Sequence, residues 1–408
     1  MSDTFDVLVV GGGPVGACAA ALLLRSSSGS MSPLRVGLLE PNRPTAPTSG
    51  SALESRVVAL SRASEHILTS ADAWRRILGP RVAPYERMQI WHESIAPSSP
   101  DVLVFDAAEA GEPNLGYIAE NRLLQAALLD AFTESGGHIE PASLRGLHVG
   151  PESVTVETTT GSLSARLVVG SDGANSAVRR SIGLTADIAD FHETAIVANV
   201  ATERPHANTA WQRFMRRGTL AFLPLADGSS SIVWSADNDI AATLSGLSAA
   251  EFEIELDRAS DHALGRTRLL SERTTFPLKQ LDAHRYVAHR CALIGDAAHV
   301  VHPLAGQGVN LGLLDAAVLS EQILAARRER EDPGAMRVLR KYERWRKSEV
   351  AFMSTAIRAF DRFLAHGLGP LSRLAQRGLG MVNRSQEVKR FFVKRALGVA
   401  GELPRSAM

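Results

Sequence analysis

The chain has 408 residues, a length that favours two lobes because domains typically run to ~100–200 residues. Its 45% apolar and 22% charged residues are ordinary for a soluble globular protein and exclude disordered, collagen-like and disulfide-stapled classes. Lys and Arg number 44, as do Asp and Glu, so the formal net charge is zero and no overall field favours nucleic acid or an anionic membrane.

Cysteine usage and hydropathy indicate the compartment. Cys18 and Cys291 have no CxxC or Cys/His spacing, so we expect inert buried thiols in a reducing compartment and no metal site. The apolar N-terminal stretch carries acidic residues where a signal peptide needs basic ones, and Gly and Pro interrupt it. No other window reaches the ~18 apolar residues of a membrane span. These features predict a soluble, cytoplasmic protein.

The chain opens with strand, glycine turn, helix and strand, an order that predicts a parallel pair of strands. The first strand spans Phe5 to Val10, the helix runs to about Arg25, and the second strand spans Leu34 to Glu40. Between the first strand and the helix, Gly11 to Gly16 fit GxGxxG, whose glycines permit a tight turn, approach of a pyrophosphate and close helix packing. Glu40 can accept hydrogen bonds from an adenosine ribose. The pattern predicts dinucleotide binding without separating FAD from NAD.

The middle of the chain changes character. Residues 190 to 285 contain alternating apolar and polar stretches and few long helical patterns, which predicts a separate antiparallel sheet. Before it, the expected elements are a helical region from Ala52 to Leu78, a strand from Arg87 to His92, a helix from Glu120 to Ser135, and strands at Leu144 to Val149, Ser153 to Thr158 and Ala165 to Val169.

Two further motifs follow predicted strands. Gly170 to Arg180 holds an Asp-Gly turn with Asn175 or Ser176 as helix N-cap, and the residues alone leave a structural turn and a ligand contact equally open. Gly295 to His299 and then His302 to Gly312 form a longer pattern. Its Asp can hold a sugar-like hydroxyl, and its glycine turn presents free N–H groups and a positive helix end that would stabilise reduced flavin. The alternative is an N-cap whose glycines serve packing.

In this order the three motifs resemble those of the class A flavoprotein aromatic hydroxylases, of the para-hydroxybenzoate hydroxylase type. The run from His302 to Gly312 is similar to the signature of the ubiquinone-biosynthesis branch (UbiH, UbiF, UbiI/VisC and the eukaryotic coenzyme Q relatives). Met88 to Trp91 and Ile232 to Ser235 most resemble the 2-polyprenylphenol hydroxylase (UbiI/VisC) group. Other resembling segments are Arg56 to Leu60, Gly116 to Asn121, Ala221 to Leu225 and Ser231 to Ser235.

The resemblance implies an α/β fold: a Rossmann-like FAD-binding domain with an inserted antiparallel β-sheet substrate domain and a C-terminal helical region. The expected FAD-binding domain is discontinuous, with residues 1–85, 106–185 and 286–355. Residues 86–105 and 186–285 would form the substrate domain, and residues 356–408 a basic helical region.

The resemblance also implies which residues contact FAD. The ADP half would be held by Gly11, Gly13, Val15, Gly16 and Glu40. Arg56 would lie along the cofactor, Asn121 near its phosphates or ribityl chain, and Asp296 at the ribityl chain, while Asp172 is linked to both FAD and pyridine-nucleotide contact. The isoalloxazine would be lined by Pro303, Gly306, Gln307, Gly308, Val309, Asn310 and Leu311.

The implied activity is hydroxylation of a polyprenylated phenol in ubiquinone biosynthesis through a flavin C4a-hydroperoxide, with O2 as co-substrate. The cofactor performs the chemistry while the protein orients the ring and excludes water, so no catalytic side chain is assigned. Because only one GxGxxG is present, NAD(P)H would dock transiently or a partner protein would deliver electrons. The alternatives are hydroxylation of a small soluble phenol, a halogenase or epoxidase, and a non-hydroxylating reductase or scaffold.

Some residues carry competing interpretations. His299 and His302 are interpreted as packing or hydrogen-bonding residues near the flavin, since no third metal ligand accompanies them. Phe222, Pro224 and Trp234 are candidate pocket residues, although sheet core is the favoured interpretation.

The neutral net charge conceals a basic C-terminal end. Residues 356–408 hold ten Lys or Arg against three acidic residues in an amphipathic pattern. The favoured interpretation is a helix packed on the body. The alternative is a docking face for an acidic partner in a ubiquinone-biosynthesis complex, for a second subunit, or for lipid headgroups in peripheral membrane contact.

Overall fold

The computed structural model describes residues 4–25, 33–48, 50–302, 306–365, 398 and 402–408, and for residues 307 and 356–365 it describes the backbone alone. The strands are β1 (Phe5–Val10), β2 (Val36–Leu39), β3 (Val57–Leu60), β4 (Ala83–Tyr85), β5 (Arg87–His92), β6 (Leu103–Asp106), β7 (Gly116–Glu120), β8 (His138–Glu140), β9 (Leu144–Val149), β10 (Val154–Thr158), β11 (Ser162–Gly170), β12 (Ala186–Thr202), β13 (Thr209–Met215), β14 (Gly218–Pro224), β15 (Ser230–Asp237), β16 (Thr267–Leu269), β17 (Thr274–Ala283), β18 (Val287–Ala288), β19 (Cys291–Leu293) and β20 (His299–Val300). The helices are α1 (Pro14–Arg25), α2 (Arg62–Ser70), α3 (Trp74–Ile77), α4 (Ala107–Ala110), α5 (Asn121–Glu134), α6 (Ala177–Ser181), α7 (Asn238–Gly246), α8 (Ala249–Ala259), α9 (Gln307–Arg328) and α10 (Met336–Ala365).

The first domain is built on a mostly parallel sheet in the order β18-β19-β11-β1-β2-β8. β1 pairs in parallel with β2 and with β11, and β11 pairs in parallel with β19, so segments distant in sequence end at one edge. The strands are apolar and buried because helices cover the sheet, as is usual for parallel sheets. The carboxyl ends of β1, β11 and β19 therefore place three turns side by side: the glycine turn after β1, the Asp-Gly turn after β11 and the Gly-Asp turn after β19.

The second domain is a mainly antiparallel sheet in the order β20-β17-β12-β15-β14-β13-β5-β6. One face of this sheet packs against α7 and α8 through an apolar cluster. A small three-stranded sheet, β3-β7-β4, lies on the first domain and contacts the other face of the large sheet through Leu223 and Leu225, which pack with Ala59. The α/β class expected from the sequence is confirmed.

One expectation about secondary structure was wrong. Residues 52–78 do not form a single helical region: β3 interrupts it and pairs with β7, and α2 begins only after Ser61, whose side chain caps the helix by accepting from the Ser64 amide. The antiparallel sheet predicted for residues 190 to 285 is present, and the same region also contains the helices α7 and α8. The N-terminus of α8 has a capping box between Ser248 and Glu251, a sequence signal that could have been found.

The expectation about membrane-length apolar windows also needs correction. Gly308–Arg328 within α9 is long and apolar enough to cross a membrane by length and composition. However, 72% of that window is buried inside the protein, where α9 packs against α1. We therefore interpret α9 as a core helix.

Candidate active site

The glycine turn between β1 and α1 contains two closely packed glycines, Gly11 and Gly16, and one glycine at an open surface, Gly13. A Cβ atom on Gly11, whose φ is +100°, would lie 2.4 Å from the Ser171 carbonyl oxygen, and one on Gly16 would lie 2.0 Å from the Gly11 oxygen. A Cβ on Gly13 would meet no atom within 4 Å in the part of the chain that the structure describes. The first and third glycines are thus required by the fold, whereas the middle one leaves room beside the positive N-terminus of α1.

Glu40 and Gln125 hold this turn from two sides. The Glu40 carboxylate accepts from the Gly12 amide at 2.7 Å and from the Asn42 amide at 2.9 Å. The Gln125 side chain on α5 donates to the Gly12 carbonyl oxygen at 2.8 Å. Glu40 was expected from the sequence, but Gln125 was missed because no linear motif connects α5 to the glycine turn.

The Val15 side chain packs between α1 and α9. A Cβ on Gly295 would come 3.1 Å from Val15 Cγ1, and one on Gly312 would come 2.5 Å from Val15 Cγ2. Val15 was expected to contact the cofactor, but its side chain packs between the two helices. Only its backbone, in the first turn of α1, would contribute to binding a phosphate.

The carboxylate of Asp172 is used within its own turn. It accepts from the Ser176 hydroxyl and from the amides of Ala177 at 2.6 Å and Val178 at 3.1 Å, and so caps α6. The adjacent backbone packs against Gly11. The sequence left a structural turn and a ligand contact equally open for this motif. The hydrogen bonds of the Asp172 carboxylate are those of a structural turn, and they account for the residue without a ligand.

Asp296, Arg56 and Asn121 lie in one recess. Asp296 follows Gly295, whose φ is +58°, and its carboxylate reaches solvent while protein surrounds its other sides. Burial raises the pKa of Asp296, and the nearby positive charges of His299 and Arg56 oppose that rise. Asn121 begins α5, and its amide donates to the Arg56 carbonyl oxygen at 3.0 Å. The recess thus presents one carboxylate and one cation, which suits a chain of sugar-like hydroxyls next to a phosphate.

A buried ion pair supports the segment that precedes Arg56. Arg81 and Glu120 are bonded at 2.7 Å and almost fully buried. Arg81 also donates to the carbonyl oxygens of Thr48, Ser51 and Ala52, and Glu120 accepts from the Glu54 amide. Sequence reasoning missed this pair because its residues are 39 positions apart.

The N-terminus of α9 is the second open helix end. Gly306 has φ +63° and lies against Ala59, where a Cβ would be 3.2 Å from the Ala59 Cβ. A Cβ on Gly308 would meet no atom of the described residues within 4 Å. Leu311 is buried and Val309 is partly buried. Pro303 lies outside the described residues.

The Asn310 side chain joins the start of α9 to β3 and α2. Its oxygen accepts from the Ser61 amide at 3.0 Å and the Ser64 hydroxyl at 2.7 Å, while its nitrogen donates to the Ala59 carbonyl oxygen at 2.8 Å. These bonds occupy the side chain. Any contact of Asn310 with a cofactor would therefore use the backbone.

β12 contacts the first domain, and two of these contacts are hydrogen-bonding contacts of its side chains. At one point, Glu193 lies 3.4 Å from His302 Nε2; at the other, the Asn199 side chain donates to the Leu53 carbonyl oxygen at 2.8 Å. Because side chains on a strand alternate, Val197 faces the same side as these two anchors.

The inner face of the large sheet continues from Val197 onto its neighbours. Val233 pairs with Val197 and Ala221 pairs with Val233, and all three side chains are partly exposed. Phe222 and Trp234 point to the opposite face, where they are buried with α7 and α8. Pro224 is buried at the end of β14. These positions fit the sheet-core interpretation of Phe222 and Trp234. The smaller apolar residues Val197, Val233 and Ala221 face the first domain.

These features fit an FAD molecule. Two helix N-termini, each with a glycine whose missing side chain leaves open surface, flank a recess that carries a carboxylate. Backbone N–H groups at such positions bind phosphate and stabilise negative charge. Within the described part of the chain, no group of three or more His, Cys, Asp or Glu is arranged to hold a metal ion.

The chain is similar to one family model and to named relatives. A family model described as an FAD binding domain matches residues 118–353. The chain is 35% identical over 396 residues to ubiquinone hydroxylase UbiL of Rhodospirillum rubrum, covering 96% of this chain and 89% of the relative. It is 33% identical over 398 residues to the 3-demethoxyubiquinol 3-hydroxylase of Escherichia coli strain K12, covering 97% and 98%.

Solved structures share the fold. The p-nitrophenol 4-monooxygenase PnpA of Pseudomonas putida superposes with a TM-score of 0.76 at 20% identity, covering 99% of this chain and 100% of that one. The probable FAD-dependent monooxygenase pqsL of Pseudomonas aeruginosa gives 0.72 at 21% identity, covering 92% and 99%.

Fold, site and family model together define an FAD-dependent aromatic hydroxylase. More narrowly, the chain belongs to the FAD-dependent hydroxylase family that includes the ubiquinone-biosynthesis enzymes, as the sequence motifs indicated. The names of these relatives do not test the 2-polyprenylphenol branch, which stays a prediction.

Proposed function

We propose that this protein is a monooxygenase that hydroxylates the ring of a polyprenylated phenol in ubiquinone biosynthesis. The observation that carries the proposal is the pair of open glycine-containing helix ends, at Gly13 and Gly308, on either side of the Asp296 recess. The relatives named above support the pathway. NAD(P)H as electron donor and O2 as co-substrate complete the proposed reaction.

In this proposal each motif contacts a different part of the cofactor. The N-terminus of α1 with Gly11, Gly13 and Gly16 would hold the pyrophosphate, and Glu40 would accept from the adenosine ribose. Arg56 and Asn121 would contact the phosphates, and Asp296 the ribityl hydroxyls. The backbone from Gly306 to Leu311 would lie along the isoalloxazine.

When bound and reduced, FAD supplies the activation of O2 and the transfer of one oxygen atom to the ring. The protein contributes binding, orientation and exclusion of water. The N–H groups at the start of α9 offer a positive end to the reduced flavin, because helix N-termini favour negative charge. The large sheet would cover this helix end and exclude water from the reacting atoms.

The inner face of the large sheet supports a greasy substrate. Val197, Val233 and Ala221 form a continuous, partly exposed apolar strip on the side of the sheet that contacts the first domain. Apolar surface of this kind favours an aromatic ring with a hydrocarbon substituent.

The remaining proposals concern location and partners. Peripheral contact with a membrane or with a biosynthetic complex would use the basic segment of residues 356–408, most of which lies outside the described residues. We retain a cytoplasmic location, membrane contact and a homo-oligomer as proposals, each supported by the sequence alone.

The test is reconstitution. Purified protein loaded with FAD should oxidise NAD(P)H in the presence of a prenylated phenol and incorporate one atom of labelled O2 into the product, as read by mass spectrometry. Protein that cannot be loaded with FAD, or that reduces the substrate without incorporating label, would overturn the proposal. Comparison with the same phenol lacking its prenyl chain decides between the greasy and the small soluble substrate.

A further inference from the structure

Asp315 on α9 is a fully buried carboxylate to which none of the motifs assigns a role. It accepts three hydrogen bonds: from His299 Nε2 at 2.6 Å, from Arg346 Nε at 2.6 Å and from the Gly295 amide at 2.9 Å. His299 and Arg346 are themselves each 3% exposed. The donors come from the turn after β19, from β20 and from α10, so three separate elements converge on one side chain.

Two of these donors belong to the short segment that carries Asp296. Gly295 precedes Asp296 directly, and His299 follows it by three positions. The turn between them is also held by Arg179, whose guanidinium donates to the Ala297 carbonyl oxygen at 2.7 Å, and Gly295 adopts a left-handed conformation with φ +58°. Asp315 accepts on both sides of Asp296, from the Gly295 amide and the His299 ring, and so constrains the direction in which the Asp296 side chain leaves the backbone.

The charges explain why a carboxylate is tolerated in this position. Burial alone would raise the pKa of Asp315, but the neighbouring His299 and Arg346 outweigh it and lower the pKa below its ordinary value. A buried ionised group persists only when it is paired and hydrogen-bonded, and here all three contacts meet that need. A neutral amide would keep the shape but lose the charge pairing.

We propose that Asp315 is a positioning residue of the cofactor site: it holds the Gly295–Asp296 turn through the Gly295 amide and the His299 ring, and through Arg346 it ties α10 to that turn. This proposal rests on the proposed function at one point, which is that Asp296 contacts FAD. Loss of the hydrogen-bond partners of metal ligands commonly lowers metal affinity by about tenfold or more, and we expect an effect of the same order on a partner of the Asp296 turn.

The experiment compares Asp315→Asn with Asp332→Asn, the same substitution at an Arg-paired but partly exposed carboxylate in the same domain. Asp332 pairs with Arg290 at 2.6 Å and accepts from the Gly334 amide, away from the turn. FAD affinity of each apoprotein is measured by quenching of flavin fluorescence, and stability by thermal unfolding. We expect both variants to lose stability, but only Asp315→Asn to weaken FAD binding, by about tenfold. Equal FAD affinity in the two variants would overturn the assignment.

A second pair keeps the test decisive if Asp315→Asn does not fold. His299→Gln retains an N–H that can reach Asp315, whereas His299→Leu removes it. FAD affinity close to wild type in His299→Gln, with loss in His299→Leu, supports positioning; the same affinity in both overturns it. Wild-type apoprotein that fails to bind FAD would instead refute the proposed function.

Discussion

The side chain of Val15 on α1 occupies the space that Gly312 leaves on α9, so that a methyl group at Gly312 would lie 2.5 Å from Val15 Cγ2. We predict that Gly312→Ala destabilises the apoprotein, because two packed helices cannot separate without losing contacts elsewhere. The expected loss is about 1–3 kcal/mol, the usual cost of overpacking. Denaturant unfolding checks it, and the double variant with Val15→Ala should recover most of the stability.

Gly308, one turn earlier on the same helix, is the matched control. Among the residues that the structure describes, a methyl group there meets no atom within 4 Å, and alanine favours a helix over glycine by roughly 0.5–1 kcal/mol. We expect Gly308→Ala to keep or raise the stability of the apoprotein and to weaken FAD binding, because the methyl group stands on the open surface. A loss of stability with unchanged FAD affinity would contradict the cofactor role of this helix end.

The contrast between these glycines also shows what the sequence could reveal. GxGxxG and the Gly-rich start of α9 predicted the turns and their place at strand ends, because local backbone requirements are written in consecutive residues. The motifs did not distinguish Gly312, which is required for packing, from Gly308, which leaves surface open. That difference depends on Val15, a residue almost 300 positions away in the chain.

The residues that sequence reasoning missed share this property. Gln125, Arg81 and Asp315 each hold a motif from another element, and no short pattern announces such a contact. The substrate face shows the same limit. Trp234 and Val233 are adjacent in sequence and point to opposite faces because side chains alternate along a strand, but the linear pattern did not fix which face α7 and α8 cover.

Val233 and Trp234 lead to a second prediction. Val233→Trp should reduce kcat/KM for a prenylated phenol by about tenfold or more, since overpacking by 1–3 kcal/mol corresponds to that range. FAD affinity and stability should change little, because Val233 is partly exposed on the inner face. Steady-state kinetics together with flavin titration measure both.

Trp234 is the control from the other face. It packs against Phe252 with ring centroids 5.8 Å apart. Trp234→Ala should cost about 3–5 kcal/mol of stability, as for other large aromatic truncations in cores. If Trp234→Ala altered substrate preference while leaving stability intact, the orientation of the two faces assigned here would be wrong.

The two cysteines give a third prediction. Cys18 and Cys291 are both fully buried, and burial raises the pKa of Cys291 to about 12 and that of Cys18 still further. The reactive thiolate is therefore scarce at mildly alkaline pH. We expect neither thiol to react with Ellman's reagent in the native protein and both to react in guanidinium chloride. Rapid labelling of the folded protein would show that one of them is accessible.

Asp296 yields a pH-dependent prediction. Burial raises the pKa of Asp296 in the folded apoprotein, so its ionised form costs stability above the folded pKa and that cost disappears below the ordinary value of 3.8. Asp296→Asn removes the charge and should raise the melting temperature of the apoprotein at neutral pH, with the advantage shrinking as the pH falls towards 3.8. The same variant should bind FAD more weakly, because an amide is a poorer acceptor for hydroxyl donors than a carboxylate. Thermal unfolding across pH, paired with flavin titration, measures both effects. A stability difference that does not vary with pH would show that the Asp296 carboxylate experiences no burial cost.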